Sequence, residues 1–463
     1  MRYLWLLGLA LLTGCTMGPD YKRPVVPTPP AFRNGEAAPT AASLADTKWF
    51  DLFQDDVLKQ LVETALVQNH DLKIAAERVL QARAQIGVSQ AQLYPQVDLN
   101  VSENLIRNSS IGANRVNFPG IKFDSSFIQG GFSLNWELDL WGRVRRLNEA
   151  ARAQFFATEE ARRGVITTLV ADVSSTYFSL RELDLELDIA RKTRDIADNS
   201  LKLTTTRKNR GVATGLDVHQ SEQFLYTATG QIASIERAQG QTENALSLLL
   251  GRDPGDIPRG KVLEDFKAPP EVPAGLPSSL LERRPDIRQA EQLLIAANAQ
   301  IGVARAAYFP QVSLTGLLGA QSRSLTNLFT GPARLWNFIP NATTPIFRAG
   351  SLKAARQFSE SQRREALENY SKSIQSAFRE VSDSLINYRK TAEQRVQQEL
   401  LVKALSESDR LSRLRYQGGL DSYLQVLDAQ RNLFQGELAL AQLKRAELIS
   451  IVQLYRALGG GWQ

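Results

Sequence analysis

Apolar and polar residues alternate along two early stretches of the chain. Val97, Leu99 and Val101 interleave with Asp98, Asn100 and Ser102. Phe132, Leu134, Trp136, Leu138 and Leu140 interleave with Ser133, Asn135, Glu137 and Asp139. A period of two sends successive side chains to opposite faces, so both stretches read as strands with one apolar and one polar face. A polar loop rich in Asn, Gly and Ser, around 107–126, joins them. A fainter pair comes later: Val312 and Leu314 against Gln311, Ser313 and Thr315, then a strand somewhere in 333–347. Elsewhere the period is helical. Leu58, Leu61, Val62, Ala65 and Leu66 form one stripe on a helix expected from Asp55 to Leu93, stopped by Pro95. From Gly142 to about Arg210, residues such as Ile166, Val170, Val173, Tyr177 and Leu180 recur three and four apart. Some 65 residues of helix would reach about 100 Å. A turn at Gly211 to Gly215 reverses the chain, and a second long helix returns to Gly251. Helices of this length and spacing favour coiled-coil packing.

The whole series occurs twice. Ala84-Gln-Ile-Gly-Val88 recurs as Ala299-Gln-Ile-Gly-Val303, and Tyr94-Pro-Gln-Val97 as Phe309-Pro-Gln-Val312. Gly211-Val-Ala-Thr-Gly-Leu-Asp-Val218 matches Gly419-Leu-Asp-Ser-Tyr-Leu-Gln-Val426, and Leu250-Gly251 matches Leu458-Gly459. The offset is 215 residues early and 208 late, far above the roughly 20–50 residues of solenoid repeats. The chain is therefore two copies of one large unit, turning at Gly211 in the first and at Gly418-Gly419 in the second.

Cysteine usage narrows the setting. Among 463 residues Cys15 is the single cysteine, which excludes an internal disulfide and a Cys-based metal site. Arg2 precedes a short apolar run from Leu4 to Leu12 that ends in Leu12-Thr13-Gly14-Cys15. That run is too short to span a bilayer and reads as a secretory signal peptide. Leu-Thr-Gly-Cys is similar to a bacterial lipobox, which implies cleavage before Cys15 and a covalent lipid on it. Thr16 in place of Asp points to the outer membrane under the usual sorting rule. No later segment reads as a transmembrane helix, so any span must be made of strands. The expected divisions are a signal peptide at 1–14, an extended lipidated segment at 15–54, a first repeat at 55–252, a Pro/Gly-rich linker at 253–277, and a second repeat with a C-terminal segment at 278–463.

Charge and candidate chemistry mostly exclude. The net charge of +6 is spread over a long chain with no Lys/Arg block, so nucleic acid is not an expected partner. His70 and His219 lack carboxylate or Cys neighbours at ligand spacing, so no metal is expected. No phosphate loop or nucleophile elbow is present, and neither cofactor nor catalysis is expected. Four strands with one lipid-compatible face cannot stand alone in a bilayer, because their edges would expose unpaired backbone. The sheet must close with other copies, and two, three or four copies would supply eight, twelve or sixteen strands. Asp98, Asn100, Glu137 and Asp139 would then face a wet lumen, and Trp136 and Trp141 are candidates for an interfacial belt. A lipid-anchored periplasmic coiled-coil scaffold or adaptor would share the helices and Cys15. It would not need amphipathic hairpins placed alike in both copies. An enzyme in a barrel would need an acid/base or nucleophile cluster that is not visible.

The chain resembles the TolC-like outer-membrane efflux proteins, especially the NodT-type lipoprotein branch that serves resistance-nodulation-division pumps. The residues that carry the resemblance are Cys15-Thr-Met-Gly-Pro-Asp-Tyr21, Trp49 to Phe53, Glu137-Leu-Asp-Leu-Trp-Gly-Arg143, Leu281-Glu-Arg-Arg-Pro-Asp-Ile287, Pro345-Ile-Phe347, Leu424-Gln-Val-Leu-Asp-Ala-Gln-Arg431 and Leu458-Gly-Gly-Gly-Trp462. The resemblance implies a membrane α/β fold: a homotrimer sharing a 12-stranded outer-membrane β-barrel, four strands per subunit, continued by a long α-helical periplasmic barrel with an equatorial domain. It implies the exit duct of a tripartite efflux pump, with a periplasmic adaptor and an inner-membrane transporter as partners. Service to a protein secretion system is the alternative within this reading.

The resemblance also implies a periplasmic gate at the turns near Gly211 and Gly419. Asp217 matches a carboxylate that bonds a tyrosine of the second copy, and Tyr416 matches that tyrosine. Asp428 matches an aspartate whose three copies ring the aperture and would attract cations. Leu424 matches a constricting apolar ring, and Arg431 a basic residue near the carboxylates. The chain departs from some members at Asp421, where they carry arginine, and at Gln425, where they carry a second aspartate. Lys208 stands where Tyr416 does in the other copy.

Overall fold

The computed structural model describes residues 16–27, 29–33, 43–46, 53–107, 109, 124–266 and 277–460. Cys15, Trp49, Trp462 and most of the 107–126 loop lie outside the described residues. The first copy runs α1 (Asp56–Gln68), α2 (His70–Ala91), β1 (Gln96–Arg107), β2 (Asp124–Leu138), α3 (Arg143–Asn209) and α4 (Gly215–Leu249). The second runs α5 (Leu280–Arg283), α6 (Pro285–Ala306), β3 (Gln311–Ser322), β4 (Arg334–Thr343), α7 (Ser351–Gln417) and α8 (Tyr423–Ala457). Lengths repeat as well as order: α2 and α6 have 22 residues, α3 and α7 have 67, α4 and α8 have 35. The helix expected from Asp55 to Leu93 is two helices. Asn69 divides them, because its side chain accepts from Leu72 N (3.0 Å) and donates to Leu249 O (2.9 Å). An Asn that bonds the backbone locally caps a helix in preference to continuing one.

The chain forms two compact units. The first comprises the described parts of Met1–Val25, Val79–Thr158 and Ala290–Tyr370. It holds one antiparallel sheet in the order β1-β2-β3-β4, so the hairpins of the two copies join along β2 and β3. Register sorts the side chains into two faces. Val97 pairs with Leu134, Leu99 with Phe132, Phe132 with Leu318, and Leu318 with Trp336, all on one face. Asp98 pairs with Ser133, Asn135 with Thr315, and Ser313 with Asn341 on the other. The apolar face is bare: Leu99, Val101, Phe132, Leu318 and Trp336 are all exposed. The strands end at a corner built by the Glu137–Arg143 motif. Glu137 takes a bidentate bond from Arg143 (2.8 and 2.7 Å), and Trp141 Nε1 donates to Pro310 O (2.7 Å) while its ring stacks on Phe309. Asp139 corrects the expectation of a lumen-facing strand residue. It lies beyond β2, and its carboxylate accepts from the backbone N–H groups of Val144 (3.0 Å) and Arg145 (2.9 Å), capping α3. A carboxylate at a helix N-terminus satisfies orphan donors and complements the dipole.

The same unit holds the segment after Cys15. Met17 N donates to Trp141 O (3.0 Å), Asn298 Nδ2 donates to Pro19 O (2.8 Å), and Asp20 pairs with Arg146 (2.8 Å). Gly18, at φ +99°, lies so close to Gly302 that a Cβ on it would meet the Gly302 Cα at 2.5 Å. Only glycine fits such an approach with such a backbone.

The second unit comprises the described parts of Val26–Arg78, Glu159–Gln289 and Ser371–Gln463. One core gathers Leu58, Leu61, Val62 and Ala65 of α1 with Val170, Val173, Tyr177 and Phe178 of α3 and Leu246 of α4. At its edge Asp55 caps α1 and accepts from the Tyr177 hydroxyl (3.0 Å), which in turn accepts from Gly260 N (2.9 Å). Burial and the neighbouring Asp55 charge push the Tyr177 phenol above its usual range. The Leu281–Ile287 motif anchors this unit through Arg284. Its guanidinium bonds Asp286 (3.0 and 2.7 Å), Glu380 of α7 (2.8 Å) and the Ala457 carbonyl at the end of α8 (2.9 Å). A second core, with Leu187, Phe224, Ile235, Tyr416, Tyr423, Val426, Leu427 and Phe434, lies among α3, α4, α7 and α8. Among the described residues no helix is long and apolar enough to cross a membrane.

Candidate functional site

The two helical turns have one backbone. After α3, Gly211 takes φ +75°, Gly211 N donates to Lys208 O (2.9 Å), and Val212 N reaches back to Arg207 O (2.9 Å). After α7, Gly419 also takes φ +75°, Gly419 N donates to Tyr416 O (3.1 Å), and Leu420 N reaches Arg415 O (2.9 Å). This is the left-handed C-terminal cap that glycine permits without Cβ strain.

The returning helices start differently. Thr214 caps α4 with a full capping box: its Oγ1 accepts from Asp217 N (3.2 Å), and the Asp217 carboxylate accepts from Thr214 N (2.8 Å) and Oγ1 (2.8 Å). Ser422, the cap residue of α8, makes no side-chain capping bond. The second turn is instead tied by Arg415, whose guanidinium grips both oxygens of Asp421 (2.6 and 3.0 Å). That hydrogen bond and charge hold the Asp421 carboxyl below its ordinary range.

Apolar side chains cap the outside of both turns. Val212, Leu216, Leu420 and Leu424 are exposed, Leu424 at 52%. On α8, Leu424, Asp428 and Arg431 follow at i, i+4 and i+7, one stripe of the helix. Asp428 accepts from Asn432 Nδ2 (3.1 Å), and Arg431 donates to Gln223 of α4 (3.1 Å). An apolar residue and a carboxylate on one exposed stripe can narrow a passage and favour cations if copies of the stripe converge.

Comparison with known proteins decides what these turns belong to. The sequence profile described as "Outer membrane efflux protein" matches residues 61–252 and again 276–460. The chain belongs to the outer membrane efflux protein family. A probable efflux pump outer membrane protein, TtgC of Pseudomonas putida, is 41% identical over 461 residues, covering 98% of this chain and 94% of that protein. The cation efflux system protein CusC of Escherichia coli is 36% identical over 456 residues, covering 98% and 97%. The open-state crystal structure of the MtrE outer membrane channel of Neisseria gonorrhoeae superposes with a TM-score of 0.86 at 31% identity, covering 97% of this chain and 99% of that one. The protein is thus an outer-membrane efflux channel of the TolC-family fold that extends into the periplasm.

Within this efflux channel the residues expected at the gate fall into two groups. Leu424, Asp428 and Arg431 share the exposed stripe of α8. Asp217 and Tyr416 do not meet. The Asp217 carboxylate is taken by Thr214, three residues away in its own turn. Tyr416, 8% exposed, packs its ring against Tyr423 (centroids 5.5 Å apart) and beneath the guanidinium of Arg207 (4.3 Å). The hydrogen bond between Asp217 and Tyr416 implied by the resemblance is therefore replaced by a capping box on one side and a buried ring on the other. Thr214-x-x-Asp217 was visible in the sequence as a capping-box pattern, and it is a stronger local claim on the carboxylate than a tyrosine 199 positions away. Arg207 and Arg415 are the residues that sequence reasoning passed over. Their signal is positional: each stands four residues before its turn glycine, Gly211 or Gly419.

Proposed function

We propose that three copies of this chain close one outer-membrane barrel and form the exit duct of a tripartite pump, anchored by lipid on Cys15, with the turns of the helical hairpins as a periplasmic gate. The observation that carries this is the sheet. It has four strands, one bare apolar face, one polar face, and edges at β1 and β4 that pair with no other strand among the described residues. In lipid, unpaired edge groups cost several kcal/mol each, so closure with other copies is required. Three copies of four strands give twelve, the count implied by the family resemblance.

The duct is passive and uses no cofactor; driving energy comes from an inner-membrane resistance-nodulation-division transporter through a periplasmic adaptor. Cargo is small molecules. One relative is named for toluene efflux and another for cation efflux, at similar identity, so ducts of one build are associated with unlike cargo. Constriction falls to Leu424 and cation preference to Asp428, with Arg431 beside them.

The test is conductance in planar bilayers with the full lipidated chain. Wild type should insert as a trimer with small, cation-preferring conductance. Leu424→Ala should enlarge the conductance, and Asp428→Asn should weaken the cation preference. Inserted trimers that conduct identically in all three forms would remove the gate assignment. A soluble monomer after Cys15→Ala, with no insertion, would favour a lipid-anchored periplasmic scaffold.

A further inference from the structure

At the second turn, one side chain of the first hairpin reaches the end of α7. Arg207, half-buried in the last turn of α3, places its guanidinium carbon 4.3 Å from the centroid of the Tyr416 ring. Its Nη1 donates to Tyr416 O (3.2 Å) and its Nη2 to Gln417 O (3.4 Å). These carbonyls lie at the C-terminus of α7, where backbone acceptors lack intrahelical partners and the helix dipole is negative. A planar cation therefore meets a ring face and two acceptors at once, a combination that arginine fits and lysine does not. The tyrosine cannot swing aside, because it belongs to the core with Phe224, Tyr423, Val426 and Leu427.

Other polar links between the hairpins differ in kind. Arg431 meets Gln223, Gln430 meets Ser200 (3.4 Å), Gln442 meets Glu186 (3.0 Å) and Arg445 meets Glu182 (3.0 Å), all from α8. None of these touches the end of α7. The equivalent arginine of the second copy, Arg415, is turned onto Asp421 inside its own turn. Of these two equivalent arginines, only Arg207 bridges the hairpins.

We propose that Arg207 is the latch of the gate: it holds the end of α7 against α3 through the face of Tyr416 and the last carbonyls of α7, and its release frees the second turn. Arg207 is a positioning residue, acting on the constriction at Leu424 and Asp428 through α7 and the following turn. The latch uses the ring and the backbone of Tyr416, not its hydroxyl. This rests on the channel reading above.

The test is single-channel conductance of the full trimer in planar bilayers, with amide hydrogen exchange of the same samples. Arg207→Gln and Tyr416→Leu should each raise conductance several-fold. The double variant should exceed neither by much, because both remove one interaction. Arg207→Lys should fall between, keeping charge and losing the fork. Restoring only a ring, as Tyr416→Phe, should rescue the low conductance that Tyr416→Leu loses, an outcome that a hydroxyl lock forbids. Amides of Gly418, Gly419 and Leu420 should exchange faster in Arg207→Gln. Unchanged conductance and exchange in Arg207→Gln would overturn the latch while the channel stands. If no form conducts, the gated duct of the proposed function falls and the latch of its gate falls with it, an outcome distinct from the loss of the latch alone.

Discussion

Gly211 and Gly419 occupy the same left-handed conformation, 208 positions apart, yet the residues around them hold the two turns by different means. In the first turn the capping contacts are local: Thr214 and Asp217 cap each other and the start of α4. Lys208 and Ala213, the counterparts of Tyr416 and Asp421, carry neither a buried ring nor a carboxylate. In the second turn the cap residue Ser422 is idle, and the turn is held by Arg415 on Asp421, by Tyr416 in the core, and by Arg207 from the other copy. Duplication preserved the backbone because glycine at positive φ fixes it. It did not preserve the support. A turn held by local bonds is stable by itself, whereas a turn held by distant side chains responds to movement elsewhere. The second turn is therefore the one suited to gating.

The largest effect should separate Tyr416 from Lys208. Tyr416→Ala removes a buried ring from the core and should cost about 3 kcal/mol in local opening of the turn, as for other large-to-small core changes. Lys208 is exposed, and Lys208→Ala should stay within about 0.5 kcal/mol. Amide exchange at Gly419 and at Gly211 reads each turn separately. Equal effects at the two positions would mean that the turns are supported alike, and the comparison would break.

The next effect runs in the opposite direction. Thr214→Ala loses the hydroxyl half of the capping box and should open the start of α4 by about 1 kcal/mol, read at the Asp217 amide. Ser422→Ala removes a side chain that caps nothing and should leave the Gln425 amide, at the corresponding position of α8, nearly unchanged. A loss at Ser422 as large as that at Thr214 would show that the serine caps α8 in solution.

Much of this was legible in the sequence, and the failures have physical causes. Period-two alternation placed β1 and β2 because a strand with one lipid-facing side has no other way to distribute its side chains. The long helices were readable because nothing within them breaks the pattern, and the turns because glycine marks them. The helical period runs through Asn69 because a polar residue looks the same in sequence whether it continues a helix or, buried, caps one. Asp139 fitted the alternation perfectly and was still misplaced, because a period cannot say where a strand stops and a cap begins. The link between Arg207 and Tyr416 was out of reach. It joins residues 209 positions apart through a ring face and backbone carbonyls, and neither partner type announces the other.

The smallest effect concerns the ion pair that replaces the capping box. The Asp421 carboxyl is held below its ordinary value of 3.8, first by the hydrogen bond from Arg415 and then by its charge. A depressed carboxyl pKa contributes stability that is fully present above 3.8 and is lost as pH falls through the lower folded value. Arg415 is exposed and Asp421 partly so, and the contribution is small and screened by salt. Asp421 should therefore titrate below 3.8 by carbon-13 NMR of the carboxyl, and Arg415→Gln should move its midpoint back up. Salt near ~1 M should do much the same, since the screening length there is only about 3 Å. The first turn has no such pair, so its amide exchange should not respond to Arg415→Gln. A midpoint indifferent to Arg415→Gln would mean that the arginine does not hold Asp421 in solution. The second turn would then depend on Tyr416 and Arg207 alone, which makes its reliance on distant side chains greater, not less.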